Sequence, residues 1–289
     1  MTITRQQRIF LLLFLLPGML YLVSLRILPA LFTVFLSFTD WDLTQPYGPE
    51  FIGLQNYIDI WNDQPFIDSI WRSLTFTVVA TTVELFFGFV IALFVHRELI
   101  LKNTLRAAIL TPMVITPSIV GVIWSIMFHS SVGPLNWLLG LVGLPAVGWL
   151  TTPNMAMLSV VITDVWHWTP FMFLLCLSAM QMIPDDLYES AEVDGASPAQ
   201  QLFHITIPMV RETLIVAIIL RSMDAFELFA EPFVMTGGGP GTATETVSLH
   251  IYKSAFLFFQ MGYAGAMVVV CIFILVAAYS LYWRFIKFD

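Results

Sequence analysis

Arg221, Asp224, Glu227 and Glu231 follow one another at intervals of three and four residues inside an otherwise apolar stretch, Val210–Val234. That spacing lines side chains along one face of a helix. A second set sits in other apolar stretches: Glu84, and Asp164 with His167 and Trp168 three and four residues further on. Carboxylates and a guanidinium exchange hydrogen bonds with hydroxyl groups, and an indole stacks on the apolar face of a ring. The chemistry open to such residues is recognition of a polar solute without a covalent step. A second reading is purely architectural, with Arg221 paired to Asp224 or Glu227 to brace a bundle.

Motifs for bond-breaking chemistry are missing. The sequence has no GxxxxGK[ST] phosphate loop, no GxSxG and no HExxH. His96, His129, His167, His204 and His250 are dispersed without metal-ligand spacing. Cys176 and Cys271 lie in long apolar runs, where a thiol behaves as a small apolar side chain. No metal, cofactor or catalytic residue is expected on this chain.

The elements that must hold these residues follow from hydropathy. Hydrophobic residues make up 58% of the 289 and charged residues 11%, with mean hydropathy +0.84. A soluble domain carries roughly 25% charged residues, so a water-facing surface cannot be built from this composition. A membrane helix needs about 20 mostly apolar residues. Six segments qualify: about Ile9–Phe38, Ser73–Val95, Leu105–Phe128, Met155–Met182, Val210–Val234 and Ala255–Phe285. The first continues well past the length of a signal sequence without a small-residue cleavage site, and is read as a retained helix. Inside a bilayer each charge costs roughly 2.5–3.5 kcal/mol on insertion scales. The polar residues named above are therefore expected to face protein or water, with the Arg221–Glu231 face toward a pore or a subunit interface.

The expected fold is thus an all-α membrane bundle of about six transmembrane helices, one domain over 1–289. Arg5, Arg8, Arg97, Lys102, Arg106, Arg211, Arg284 and Lys287 collect on the side of the termini, and only Arg72 and Lys253 on the other. The positive-inside rule then places both termini in the cytoplasm. The outer loop at about 39–71 carries six acidic residues before Trp71 and a short amphipathic stretch, Phe51–Trp61. The net charge of −8 gives no reason to expect a nucleic-acid partner.

Between the fourth and fifth segments lies PDDLYESAEVDGASPAQQLFHITIP, 184–208. It reads as two short helices around a bend. Asp186 with Glu189 has capping-box spacing, Gly195 suits a left-handed stop, and Ser197-Pro198 suits a second start. Ser190 and Ala191 form a small-residue patch, with Glu189, Glu192 and Asp194 around it.

This segment resembles the EAA signature of permease subunits in binding-protein-dependent ABC importers. Glu189, Ser190 and Ala191, then Gly195, then Ile205, Ile207 and Pro208 keep its spacing, with Ser190 and Ile207 as the substitutions. Thr236–Phe256 and Phe51–Tyr57 are similar to segments of the carbohydrate branch, in its MalF-like and glycerol-phosphate-type permeases. The resemblance implies a cytoplasmic coupling helix between helices 4 and 5, with Glu189, Ser190, Ala191, Asp194, Gly195, Ile205 and Pro208 at the contact with an ATPase. It further implies separate ABC ATPase subunits holding ATP and Mg, a second non-identical permease, an extracytoplasmic solute-binding protein, and a bacterial or archaeal inner membrane. An ion-gradient-driven secondary transporter is the competing function; internal inverted repeats, which it calls for, are not evident.

Overall fold

A computed structural model of the chain describes residues 5–96 and 102–285. In chain order the helices are α1 (Arg5–Leu22), which runs through a π turn (Val23–Ile27) into α2 (Leu28–Leu36), α3 (Gln55–Trp61), α4 (Gln64–His96), α5 (Lys102–Val114), α6 (Pro117–Met127) and α7 (Pro134–Leu141). They continue as α8 (Pro153–Met180), α9 (Asp185–Val193), α10 (Pro198–Gln201), α11 (Ile207–Phe226), α12 (Ala230–Thr236), α13 (Val247–Tyr252) and α14 (Met261–Phe285). Among the described residues β pairing is confined to two isolated bridges, Thr39–Phe51 and Asp42–Gln260. Among the described residues five helical runs are long and apolar enough to cross a membrane, and six if the bent α5–α6 pair counts as one span. Arg97 and Lys287, used in the charge-asymmetry argument, lie outside the described residues.

Proline sets several helix starts. Pro117, Pro134, Pro153 and Pro198 each sit at the beginning of a helix, after a residue in extended conformation. Its missing N–H costs nothing there, because the first amides of a helix have no intrahelical acceptor. Pro117 also explains a departure from expectation. Leu105–Phe128 reads as one apolar run, yet the chain turns by 97° between α5 and α6. Thr116 is forced out of helical geometry by the proline that follows it.

The expected span Val210–Val234 is likewise broken. Helix α11 ends at Phe226, and α12 starts only at Ala230. The carbonyls freed by this break are satisfied from α13 and the residue before it. Thr246 Oγ1 donates to Leu228 O at 2.7 Å and Ser248 Oγ to Glu227 O at 3.1 Å. In apolar surroundings a broken helix survives only with such replacement donors. The last segment, read from about Ala255, forms a long helix only from Met261, after a π turn (Lys253–Leu257) and Phe259 at φ +62°.

The helices group into two compact units: described residues up to Gln64 with those from Ile251 onward, and Pro65–His250 between them. In the first unit α14 packs on α2 and α3. Gly265 permits the α14–α2 approach, since a Cβ there would stand 3.1 Å from Thr33 O and 3.3 Å from Ser37 N. Helix α3, expected within Phe51–Trp61, is fastened by Asn56, whose Nδ2 donates to Ser37 O and Thr39 O at 2.9 and 2.8 Å. Asp40, Trp41, Asp42, Gln45, Asn56, Asp59, Gln260 and Tyr263 line an open cavity of about 360 Å³ in this unit.

In the second unit α8 is the central helix, in contact with α5, α6, α11 and α12. Ala92, Val95, Phe173, Cys176, Met180 and Val210 bury one apolar cluster where α4, α8 and α11 meet. Gly88 lets α4 lie directly on α8: a Cβ at that position would be 2.6 Å from Met172 Cβ and 2.7 Å from Phe173 N. Small residues at crossings are how membrane helices gain packing without a hydrophobic drive between them.

Candidate functional site

The central polar site grows from Arg221 on α11. Its side chain is 1% exposed, as befits a cation enclosed by the helices of this unit. Nε donates to Glu84 Oε2 at 2.7 Å and Nη2 to Glu84 Oε1 at 3.0 Å, a two-pronged grip on α4. Nη2 also bonds Asp164 Oδ2 on α8, and Nη1 donates to Asp224 Oδ2 at 2.8 Å, one turn further along α11. The guanidinium carbon lies 5.0 Å from the centre of the Trp168 ring. One planar guanidinium thus joins three helices, which a lysine ammonium cannot do with the same geometry.

The two ends of this cluster differ. Glu84 and Asp164 are fully enclosed, whereas the Asp224 side chain is 57% exposed. Asp164 Oδ1 has no hydrogen-bond partner among the described residues. His167, one turn beyond Asp164, joins the site differently. Its Nε2 meets Ile115 O at 3.0 Å, and its Nδ1 stands 3.5 Å from Glu231 Oε1 on α12.

Of the residues expected on a single helix face, the structure keeps Arg221 and Asp224 together and separates the other two. Glu227 caps the end of α11, where the helix breaks, and is exposed. Glu231 belongs to the next helix and faces His167, not Arg221. The three- and four-residue spacing holds only while the helix continues. The architectural pairing of Arg221 with Asp224 is present, but the stronger partner is Glu84.

The 184–208 segment lies at the surface. The N-cap of α9 is Pro184, not Asp186, which falls in the first turn and makes no side-chain cap. The acidic residues Asp185 and Asp186 still suit that end of the helix dipole. The expected stop is present: Gly195 adopts φ +79°, with its N–H on Glu192 O at 3.0 Å and that of Ala196 on Ala191 O at 2.8 Å. This is a Schellman closure. Ser197 caps α10 as expected, and Gln200 completes a capping box by accepting from Ser197 N at 2.7 Å. Glu189, Ser190, Asp194 and Gly195 are exposed, Ala191 half-buried. Val193 is 88% exposed at the tip. Ile205 instead packs against the apolar cluster of α4 and α8, and Pro208 is in the first turn of α11. A Tyr188–Thr206 hydroxyl bond of 2.9 Å ties α9 to the turn before α11.

Residues 84–286 match the family described as binding-protein-dependent transport system inner membrane component. The chain belongs to that family. This permease is a multi-pass inner-membrane protein. It is 35% identical over 288 residues to the probable ABC transporter permease protein YurN of Bacillus subtilis, covering 98% of this chain and 97% of the relative. It is 37% identical over 271 residues to the trehalose/maltose transport system permease protein MalF of Thermococcus litoralis, covering 93% and 90%. Among solved structures it shares its fold with a bacterial ABC transporter involved in import of the acidic polysaccharide alginate. That match has TM-score 0.83 at 23% identity and covers 98% of both chains.

Several polar contacts of the permease are absent from the motif reading. Ile115 enters through its carbonyl, and Thr246 and Ser248 through hydroxyls on a distant helix end. The two helix breaks create these roles, so only the Pro117 signal pointed to either.

Proposed function

We propose that this chain is one of two non-identical permeases of an ATP-driven importer for a carbohydrate or related solute, coupled to a separate ATPase through 184–208. The carrying observation is the state of that segment. The first part of the EAA pattern, Glu189 to Gly195, forms a locally capped unit at the surface, with Glu189 and Gly195 exposed and Val193 exposed between them. The lower end of 184–208 is anchored by Ile205 and the Tyr188–Thr206 bond. A push on α9 is thereby delivered to the start of α11, the helix that carries Arg221. In this reading both termini and the segment are cytoplasmic, and ATP and Mg reside on the partner ATPase. A solute-binding protein delivers the substrate from the other side.

The carbohydrate class is supported by the relatives. Besides the trehalose/maltose protein, a permease 32% identical over 280 residues in Agrobacterium fabrum serves a sulfoquinovosyl glycerol system. The Arg221 cluster offers hydrogen-bonding carboxylate at Asp224 and an aromatic face at Trp168, the chemistry a polyhydroxy solute uses.

Co-purification tests the coupling. Glu189→Lys and Gly195→Pro should remove the ATPase from the assembled complex and abolish uptake, while the permease still inserts and melts near the native temperature. Normal ATPase recovery and uptake in both variants would refute the assignment. Titrating the partner binding protein against a panel of sugars and polyols identifies the solute.

A further inference from the structure

Helix α3 divides its short length among three environments. Asn56 and Ile60 are buried, Asn56 through its bonds to Ser37 O and Thr39 O. Gln55 and Asp59 are exposed, one turn apart, and Gln55 Nε2 donates to Asp59 Oδ1 at 2.8 Å. Leu54, Ile58 and Trp61 are exposed as well, at 62%, 57% and 83%. Steps of four and three residues put these last three on one side of the helix, apart from both other pairs. The helix thus has one side for protein, one that suits water and one that is apolar yet uncovered.

Its height relative to the membrane-spanning runs is fixed at both ends. Tyr57 Oη shares a hydrogen bond of 2.7 Å with Ser37 Oγ, at the C-cap of α2, where the apolar run Phe14–Leu36 stops. Just past α3, Asp63 Oδ2 accepts from Tyr263 Oη at 2.8 Å, in the first turn of α14, where the run Met261–Ser280 starts. Two spans therefore reach the edge of the hydrocarbon at the level of α3. The uncovered apolar side also continues toward the first span. Phe38 stands between Tyr57 and the exposed Phe51, with ring centres 5.6 and 6.5 Å away, and Phe32 and Phe35 of α2 are exposed below it.

We propose that α3 is an interfacial anchor whose Leu54, Ile58 and Trp61 enter the lipid where α2 ends and α14 begins, with Gln55 and Asp59 turned to water. A helix split into apolar and polar sides lies in the plane of the membrane at this depth. Tryptophan suits it, because the indole offers an apolar ring to the chains and an N–H to the headgroups. Leu54, Tyr57, Ile58, Trp61 and Asn62 line a shallow recess of about 420 Å³, open to the upper part of a lipid chain. Residues 39–71 contain six acids and no Lys or Arg, so the attraction is apolar and needs no anionic headgroup. The anchor sets the depth of the α2–α14 pair whatever solute is carried.

Nitroxide labels on single introduced cysteines test this in the full transporter, reconstituted in phosphatidylcholine vesicles without binding protein. The native Cys176 and Cys271 are buried, and the signal of the transporter lacking an introduced cysteine is subtracted. Labels at Leu54→Cys and Ile58→Cys should relax strongly with oxygen and weakly with a water-soluble nickel chelate. Labels at Gln55→Cys and Asp59→Cys should show the reverse order. Two positions on each side keep the comparison intact if one variant fails to assemble. Nickel relaxation at 54 and 58 equal to that at 55 and 59 would put the apolar side in water. Labels at 54 and 58 reached by neither reagent would put it against another protein chain, such as a second permease. Either result overturns the proposal.

Discussion

Arg221 reaches Glu84 across 137 positions of sequence, whereas Ser197 finds its capping partner three residues away. The first contact is enclosed by helices and the second is open to solvent. Both regions are rich in acidic residues, but acid serves opposite ends in them. Around Arg221, carboxylates are tolerable only because a cation meets them, and the assembly of α4, α8 and α11 is what brings it there. In 184–208 the acids are solvated and follow the helix dipole, and the segment's shape comes from its own caps. The exposed segment is thus held locally, and the region that keeps helices in register is held globally.

The largest expected effect comes from removing the centre of the global region. Arg221→Ala leaves Glu84 and Asp164 enclosed without their cation, and breaking a buried pair in this way costs about 3–5 kcal/mol. Yield and melting of the solubilised complex should fall sharply. A triple variant, Arg221→Met with Glu84→Gln and Asp164→Asn, should recover much of that loss, because the uncompensated charges are gone. If Arg221→Ala melts like the wild type, the cluster is not the brace inferred here. Next in size is Gly88→Val at the α4–α8 crossing. The backbone of Phe173 cannot retreat as a side chain can, so overpacking of about 1–3 kcal/mol or more is expected, read by the same melting assay.

The local region should respond differently. Ser197→Ala removes the capping box of α10 at about 1 kcal/mol, and the helix bundle should melt almost unchanged. The effect should instead show as faster hydrogen exchange confined to 184–208. Exchange that spreads into α8 or α11 would mean that the segment is part of the bundle's cooperative unit.

What the sequence revealed divides along the same line. Gly195 and Ser197-Pro198 specify their geometry within four or five residues, so their roles were readable. Pro184 displaced Asp186 as the cap because an extended proline already fixes the chain entry. The six apolar segments were readable for a similar reason, since span length depends on composition alone. The break at 227–229 was not, and the one at 115–116 was marked only by Pro117. Apolarity says that a stretch prefers lipid or protein, but not whether its backbone stays helical when side chains from elsewhere can serve its carbonyls. Once α11 breaks, periodicity carries no information across the gap, and Glu231 leaves the face shared by Arg221 and Asp224. Glu84 was identified as costly in lipid, but its partner was fixed by a helix crossing that depends on Gly88.

Asp224 is where the two regions' logic meets, and it gives the smallest expected change in stability. It bonds Arg221 at 2.8 Å, yet more than half of its side chain is exposed. Solvent screens such a pair, so Asp224→Ala should cost only about 0–1 kcal/mol, in contrast to substitution of the enclosed Glu84. Under the proposed function, its exposed carboxylate and the Trp168 ring beside Arg221 are the groups offered to a hydroxylated solute. Asp224→Ala should therefore reduce uptake while ATPase association and melting persist. A cysteine at 224 should react with a water-soluble thiol reagent in at least one state of the ATP cycle, as should one at Glu227 beside the break. Val216 and Ile219, further back on α11, are the comparison positions. If Asp224→Ala lowers the melting temperature as far as Glu84→Ala does, and position 224 is unreactive in every trapped state, the carboxylate belongs to the brace alone. The solute path must then be sought elsewhere in the permease.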